Sequence, residues 1–271
     1  MTLDYPKAIR ENFLILPKGS QSYQPFDLNS IQSRYMSRWT GRDIILKARQ
    51  QGFSSLILSI FACDFLLSPN TLSIVLADVA SNAQDLLDRV KKYIEEFEDL
   101  NEIKIPFKYN TRNEIYNNSN DSRYIIGTAE NVNFGRSKTI NNLHLSEAAY
   151  YKDFPGILAS AGTAVVPNGK LIIETTANGF NEFKEFWDEA NNIGNGYNPM
   201  FFKASDFYSA EFLSREKKRL KNKFPQEYPE TPLEAFLNSG SLYFNPDSLN
   251  YYYEFANKYK EKYNVPSVPT V

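Results

Sequence analysis

Three short apolar runs constrain this chain more than anything else in it. Asp43 to Ala48 (DIILKA), Leu72 to Ala77 (LSIVLA) and Gly169 to Thr175 (GKLIIET) are of strand length and do not alternate apolar with polar, and Asn142 to Leu145 (NLHL) reads as a further short strand. A strand with one face in water alternates. A strand covered on both faces does not, as expected in a parallel sheet with helices on either side. The segments between agree. Ser54 to Leu67 is apolar nearly all round, which reads as a buried helix ending before Pro69. Ala83, Leu86, Leu87, Val90, Ile94 and Phe97 recur at helical spacing, with Ser81 and Gln84 placed as a capping box. Arg112 to Tyr116 and Arg123 to Thr128 read as strands around an Asn/Ser/Asp turn, and helical patterns cover roughly 150–161, 181–191 and 209–223. Strand–helix alternation of this kind predicts a three-layer α/β domain with a mainly parallel central sheet. Residues 1–30 carry few periodic signals and read as an irregular N-terminal arm. The domain proper then spans 31–245, and 246–271 is polar and rich in Tyr, Asn and Lys, like a linker or the start of a further unit.

At 271 residues the chain is long enough to bury a sizeable core. A net charge of −2 gives no bulk basic footprint for nucleic acid, so any DNA contact has to be local. The single cysteine, Cys63, rules out an internal disulfide, fits a reducing compartment and sits in an apolar run as a core residue. The run from Leu56 to Leu67 contains Asp64 and is too short to span a membrane, and the first residues do not form a signal peptide.

Chemistry enters with Lys47 to Ser55 (KARQQGFSS), which joins a buried strand to a buried helix. That is the setting of a phosphate-binding loop, where backbone N–H groups at a turn and a helix N-terminus hold an anion. In G-x-x-x-x-G-K-[ST] the lysine follows the second glycine. Here Gly52 is followed by Phe53, while Lys47 and Arg49 stand at the front of the loop and Ser54 falls where a Mg²⁺-holding hydroxyl would be. An ordinary strand–helix turn fits this stretch as well. Asn141 to Tyr151 (NNLHLSEAAYY) puts Ser146 and Glu147 at a strand tip, the place where open α/β sheets carry chemistry. Glu147 there either polarises a water or caps the next helix. Gly169 to Phe183 puts Thr175, Thr176, Asn178 and Gly179 after another strand, small groups able to sense a phosphate or simply to make a turn. His144 lies inside a strand and reads as core rather than as a ligand.

In this order the three segments, closed by YPETPLEAFLNSG (Tyr228 to Gly240), resemble the ATPase domain of the large terminase subunit, the DNA-packaging motor of tailed phages, over about residues 25–245. The resemblance implies a P-loop NTPase fold of the ASCE type that binds ATP and Mg²⁺. It implies that Lys47 is the displaced loop lysine, that Arg49 acts against the γ-phosphate, and that Gln50, Gln51, Gly52, Phe53, Ser54 and Ser55 form the rest of the cradle. Ser54 and Ser146 would serve Mg²⁺, Ser146 standing where the family has Asp. Glu147 would orient the attacking water, and Thr176 and Asn178 would report the γ-phosphate. Gln32, in PFDLNSIQ, would grip adenine, and Arg136, in ENVNFGRSK, would be an arginine finger toward a neighbouring subunit. The partners implied are double-stranded DNA, a portal protein, a small terminase subunit and a homo-oligomeric ring on the procapsid. The setting implied is the host cytoplasm, with transient docking, no membrane and no place in the mature virion. The family's metal-dependent nuclease domain has no room in 246–271. Two other readings of the same segments are a non-hydrolysing nucleotide switch, separated by ATP turnover, and a helicase-like ATPase, separated by strand separation.

Overall fold

The computed structural model describes residues 3–17 and 19–237, with isolated positions between 248 and 259. Most of the expected linker, and Asn238 to Gly240 of the closing segment, lie outside the described residues.

The first element corrects the expectation of an irregular arm. Helix α1 (Tyr5–Asn12) starts at Asp4, whose carboxylate accepts from the Lys7 N–H at 3.2 Å, and Pro6 occupies its first turn. Ile9 and the following Phe13 are fully buried in the main core. Two turns are too short to establish a period, so the sequence pattern carries no sign of the helix. β1 (Leu14–Ile15) and β2 (Gln24–Pro25) pair antiparallel. α2 (Ser30–Met36) opens with a reciprocal capping box between Asn29 and Gln32. Then follow β3 (Arg42–Lys47), α3 (Phe53–Leu67), β4 (Leu72–Ala77) and α4 (Ala80–Asn101). The capping box expected at Ser81 and Gln84 does not form. The helix begins two residues earlier, at Ala80 behind Val79, so Ser81 is already inside the first turn. Next come β5 (Phe107–Asn110), β6 (Glu114–Asn117), β7 (Ser122–Thr128) and β8 (Ile140–Ser146).

The single helix expected over 150–161 is three pieces: a 3₁₀ turn (Ala148–Tyr150), α5 (Phe154–Ile157) and a π turn (Leu158–Gly162). Pro155 is tolerated only in a first turn, and Asp153 caps Gly156, so the helix has to restart at 154. β9 (Val165–Thr175), α6 (Glu182–Asn192), β10 (Asn198–Phe202), α7 (Ala210–Leu220), α8 (Phe224–Glu227) and α9 (Pro232–Leu237) complete the chain as described.

The main sheet has the order β10-β3-β9-β8-β4-β7-β6-β5. The first six strands run parallel, and β6 and β5 add an antiparallel edge. Side chains alternate between two cores. Ile45, Val75 and Ala77 pack with residues of α1, α3 and α4. Ile44, Leu46, Ile74 and Leu76 pack on the opposite face with residues of α5, α6 and α9. The expected three-layer α/β fold is therefore what the chain adopts.

α3 is buried along nearly its whole length. Its far end carries Asp64, which accepts from Tyr5 at 2.7 Å, from Asn142 on β8 at 2.9 Å and from Lys170 on β9 at 2.8 Å. This satisfies a charge that would otherwise be costly to bury. β3 leads into α3 on one face, while its sheet neighbour β9 leads to α6 on the other. The chain thus parts at the carboxyl ends of β3 and β9, where open parallel sheets hold ligands.

Candidate active site

Gly52 sets the loop. Its φ is 85°, in the left-handed region, and an added Cβ would lie 2.9 Å from Gln32 Nε2. Glycine alone meets both demands. Phe53 then begins α3 and is buried against Phe202 and Tyr35, with ring centroids 4.6 and 5.7 Å away. The front of the loop is tied to the last helices. Arg49 N–H donates to the Glu227 carbonyl at 2.9 Å, its guanidinium meets the Glu227 carboxylate at 3.2 Å, and Tyr208 donates to the Arg49 carbonyl at 2.7 Å. Gln51 donates to the Lys203 carbonyl at 3.0 Å.

Lys47 is the last residue of β3 and is almost wholly buried. Its ammonium stands 3.0 Å from Glu147 Oε1 and 3.0 Å from Glu174 Oε2. Burial pulls its pKa down, but the two carboxylates outweigh this and hold it above the ordinary lysine value. Glu147 follows β8 with φ 56°, an uncommon conformation for a residue with a side chain. Its Oε2 accepts from Thr176 N at 3.1 Å and Thr176 Oγ1 at 3.3 Å, and its side chain stays 30 % exposed.

Glu174 is not among the residues expected from the sequence. It is fully buried on β9, and its Oε1 accepts from Ser54 at 2.7 Å and Ser146 at 2.9 Å, with His144 Nε2 at 3.3 Å. Burial pushes its carboxyl up, yet Lys47, His144 and Ser54 together hold it well below the usual carboxylate range. A signal for it does exist: a lone acid within an apolar strand covered on both faces has to be paired. His144 is buried, as expected, but as a partner of this acid.

A cavity of about 780 Å³ opens over this group. Lys47, Glu147, Gln32, Arg89 and all of Arg49 to Ser55 line it. Both ends of the Gln32 amide are engaged by the protein: Oε1 accepts from Asn29 N–H at 2.9 Å, and Nε2 donates to the Gly52 carbonyl at 2.8 Å. Ser55 accepts from Arg89 at 2.7 Å. Ser146 lies behind Ser54. Thr176 reaches the cavity through Glu147, and Asn178 instead donates to the Ala149 carbonyl at 3.2 Å. Arg136 is exposed, bonds Asn133 at 3.3 Å and does not line the cavity. A hollow of about 910 Å³ beside α1 is larger but is lined by surface groups such as Lys7, Arg10 and Glu11, with none from the main sheet.

A mostly parallel sheet with a glycine-turned loop between β3 and α3, and an acid at the tip of β8, is a three-layer α/β architecture of the P-loop type. Within that class, solved structures of large terminase ATPase domains share this architecture. The ATPase domain of the Thermus phage P74-26 large terminase matches with a TM-score of 0.60 and 17 % identity, covering 75 % of this chain and 93 % of that one. The HK97 bacteriophage large terminase matches at 0.65 and 18 %, covering 87 % of this chain and 56 % of that one. The large terminase of a thermophilic bacteriophage, in complex with ATP-γ-S, matches at 0.52 and 14 %, covering 69 % and 46 %. The chain thus spans about half the length of the last two. At these identities the likeness is one of fold. No protein-family model and no curated protein sequence matches the chain.

Proposed function

We propose that this chain is the ATP-hydrolysing motor domain of a terminase-type machine that drives double-stranded DNA into a phage procapsid. One observation carries the reading: Lys47 from the front of the loop and Glu147 from the next-but-one strand meet at 3.0 Å in the wall of one cavity. The solved structures that share the fold, one of them holding ATP-γ-S, support it.

The loop N–H groups and the α3 N-terminus hold the phosphates. The Lys47 ammonium has three hydrogens, and two carboxylates engage it, so one remains for a phosphate oxygen. Arg49 adds charge from the loop's exposed edge. Glu147 orients a water for in-line attack at the γ-phosphate, with Thr176 fixing its second oxygen. The donor set is oxygen, as a hard ion such as Mg²⁺ prefers: Ser54 and Ser146 are neutral hydroxyls whose hydrogens go to Glu174 Oε1, leaving their lone pairs for an ion. Ser54 and Ser146 are the residues that would hold Mg²⁺, which when bound neutralises charge on the phosphates. Arg136, exposed and away from the cavity, acts on a neighbour's nucleotide in a homo-oligomeric ring docked with a portal protein and a small terminase subunit on the procapsid. This work takes place in the host cytoplasm, and no described helix is long and apolar enough to cross a membrane.

Phosphate release by purified chain with ATP and Mg²⁺ tests this. Turnover that is lost in Glu147→Gln while ATP still binds supports the reading. Turnover unchanged in that variant, or strand separation of duplex DNA by the chain, sinks it.

A further inference from the structure

The divalent-cation site proposed above lacks an acid where one is needed. Ser146 ends β8 without a charge, and Ser54 offers only a hydroxyl. Glu174 stands directly beside Ser146 in the sheet, paired with it across β8 and β9 and with Ile45 across β3. From there its Oε1 stands 2.9 Å from Ser146 Oγ.

Its two oxygens are used differently. Oε2 faces Lys47 at 3.0 Å, while Oε1 gathers Ser54, Ser146 and His144. A simple counter-ion for Lys47 needs only the first of these. Glu147 already faces the same ammonium, so a second carboxylate there is not required for neutrality. The three donors on Oε1 remain to be explained.

We propose that Glu174 is the acid of the divalent-cation site, displaced from the tip of β8 to the neighbouring strand. It is a positioning residue, fully buried, and acts through the two serines. By taking the hydrogens of Ser54 and Ser146 it turns the lone pairs of both oxygens away from itself. It also sets a negative charge immediately behind them, which makes two weak neutral ligands attractive to a dication. This inference rests on the nucleotide reading of the same cavity.

The test uses the whole chain, Mn²⁺ in place of Mg²⁺, and a non-hydrolysable ATP analogue. Free Mn²⁺ is followed by its paramagnetic resonance signal, and analogue binding is measured separately with and without metal. Glu174→Gln is expected to weaken Mn²⁺ binding to the analogue-loaded chain about tenfold to a hundredfold, the scale for groups that orient metal ligands, without weakening metal-free analogue binding. Ser146→Asp added to Glu174→Gln is expected to restore Mn²⁺ affinity by returning the acid to β8. Wild-type Mn²⁺ affinity in Glu174→Gln would reduce Glu174 to a counter-ion of Lys47 and overturn the proposal. If Glu174→Gln does not fold, the charge-conserving pair decides: wild-type Mn²⁺ affinity supports the displaced acid, and loss of about tenfold or more overturns it. Failure of the wild-type chain to bind the analogue, with or without metal, removes the nucleotide reading itself and this inference with it.

Discussion

Glu147 holds a left-handed backbone while its two oxygens bond Lys47 on one side and Thr176 on the other. Such a conformation costs a residue with a side chain of order 1–3 kcal/mol, and the surrounding bonds have to over-determine it. Glu147→Gln keeps the shape and one oxygen. Folding and ATP binding should survive, and hydrolysis should fall by at least about 10²-fold, the scale of a water-positioning group. Single-turnover phosphate release beside an equilibrium binding curve measures both. Lys47 and Phe53 separate charge from packing. Phe53→Ala removes a fully buried ring and should cost roughly 3–5 kcal/mol of stability, with lesser effect on ATP affinity of the folded chain. Lys47→Ala should weaken ATP binding more than Phe53→Ala does; normal ATP binding by Lys47→Ala would pass the phosphate role to Arg49. The loop residues are legible in the sequence because glycine, lysine and hydroxyl fall in a strand–helix junction. Glu174 is not, because GKLIIET reads as an apolar strand whose chemistry begins at Thr175, and only a demand for a buried partner singles out the acid.

Among the elements, those with a long or unbroken pattern are legible. β3, β4 and β9 are apolar runs, and α3 and α4 are long enough for periodicity to be read, whereas β10 (NPMFF) has a proline at its second position and only five residues. β10 nevertheless closes the sheet beside β3, and its Phe202 packs on Phe53. α1 escapes the pattern for the same reason of length, and its energetic weight is the clearest correction. Phe13→Ala, just beyond α1, should lower stability by roughly 3–5 kcal/mol, because the ring is fully buried against Tyr93 with centroids 5.0 Å apart. Denaturant unfolding checks it, and a change within about 0.5 kcal/mol, normal for a surface position, would return the segment to the status of an arm.

For the whole molecule, the cavity is lined by the groups proposed to bind ATP and to orient water, while Arg136 lies on the surface outside it. Arg136→Ala should therefore leave ATP affinity of the isolated chain unchanged and reduce turnover only in an assembled ring, where a finger residue is worth about 10³-fold or more. Mixing Arg136→Ala chains with Glu147→Gln chains in an assembling system tests action between subunits. Partial recovery is expected, and no recovery in rings shown to be mixed would count against it. One further property follows from α3. The helix is fastened at its first turn, where Ser54 meets Glu174, and near its last, where Asp64 meets Asn142 and Lys170. Fifteen residues make a rod of about 22 Å. Enclosed along most of its length, this strut links the serine end of the cavity, through Asp64, to Tyr5 at the start of the outer helix α1.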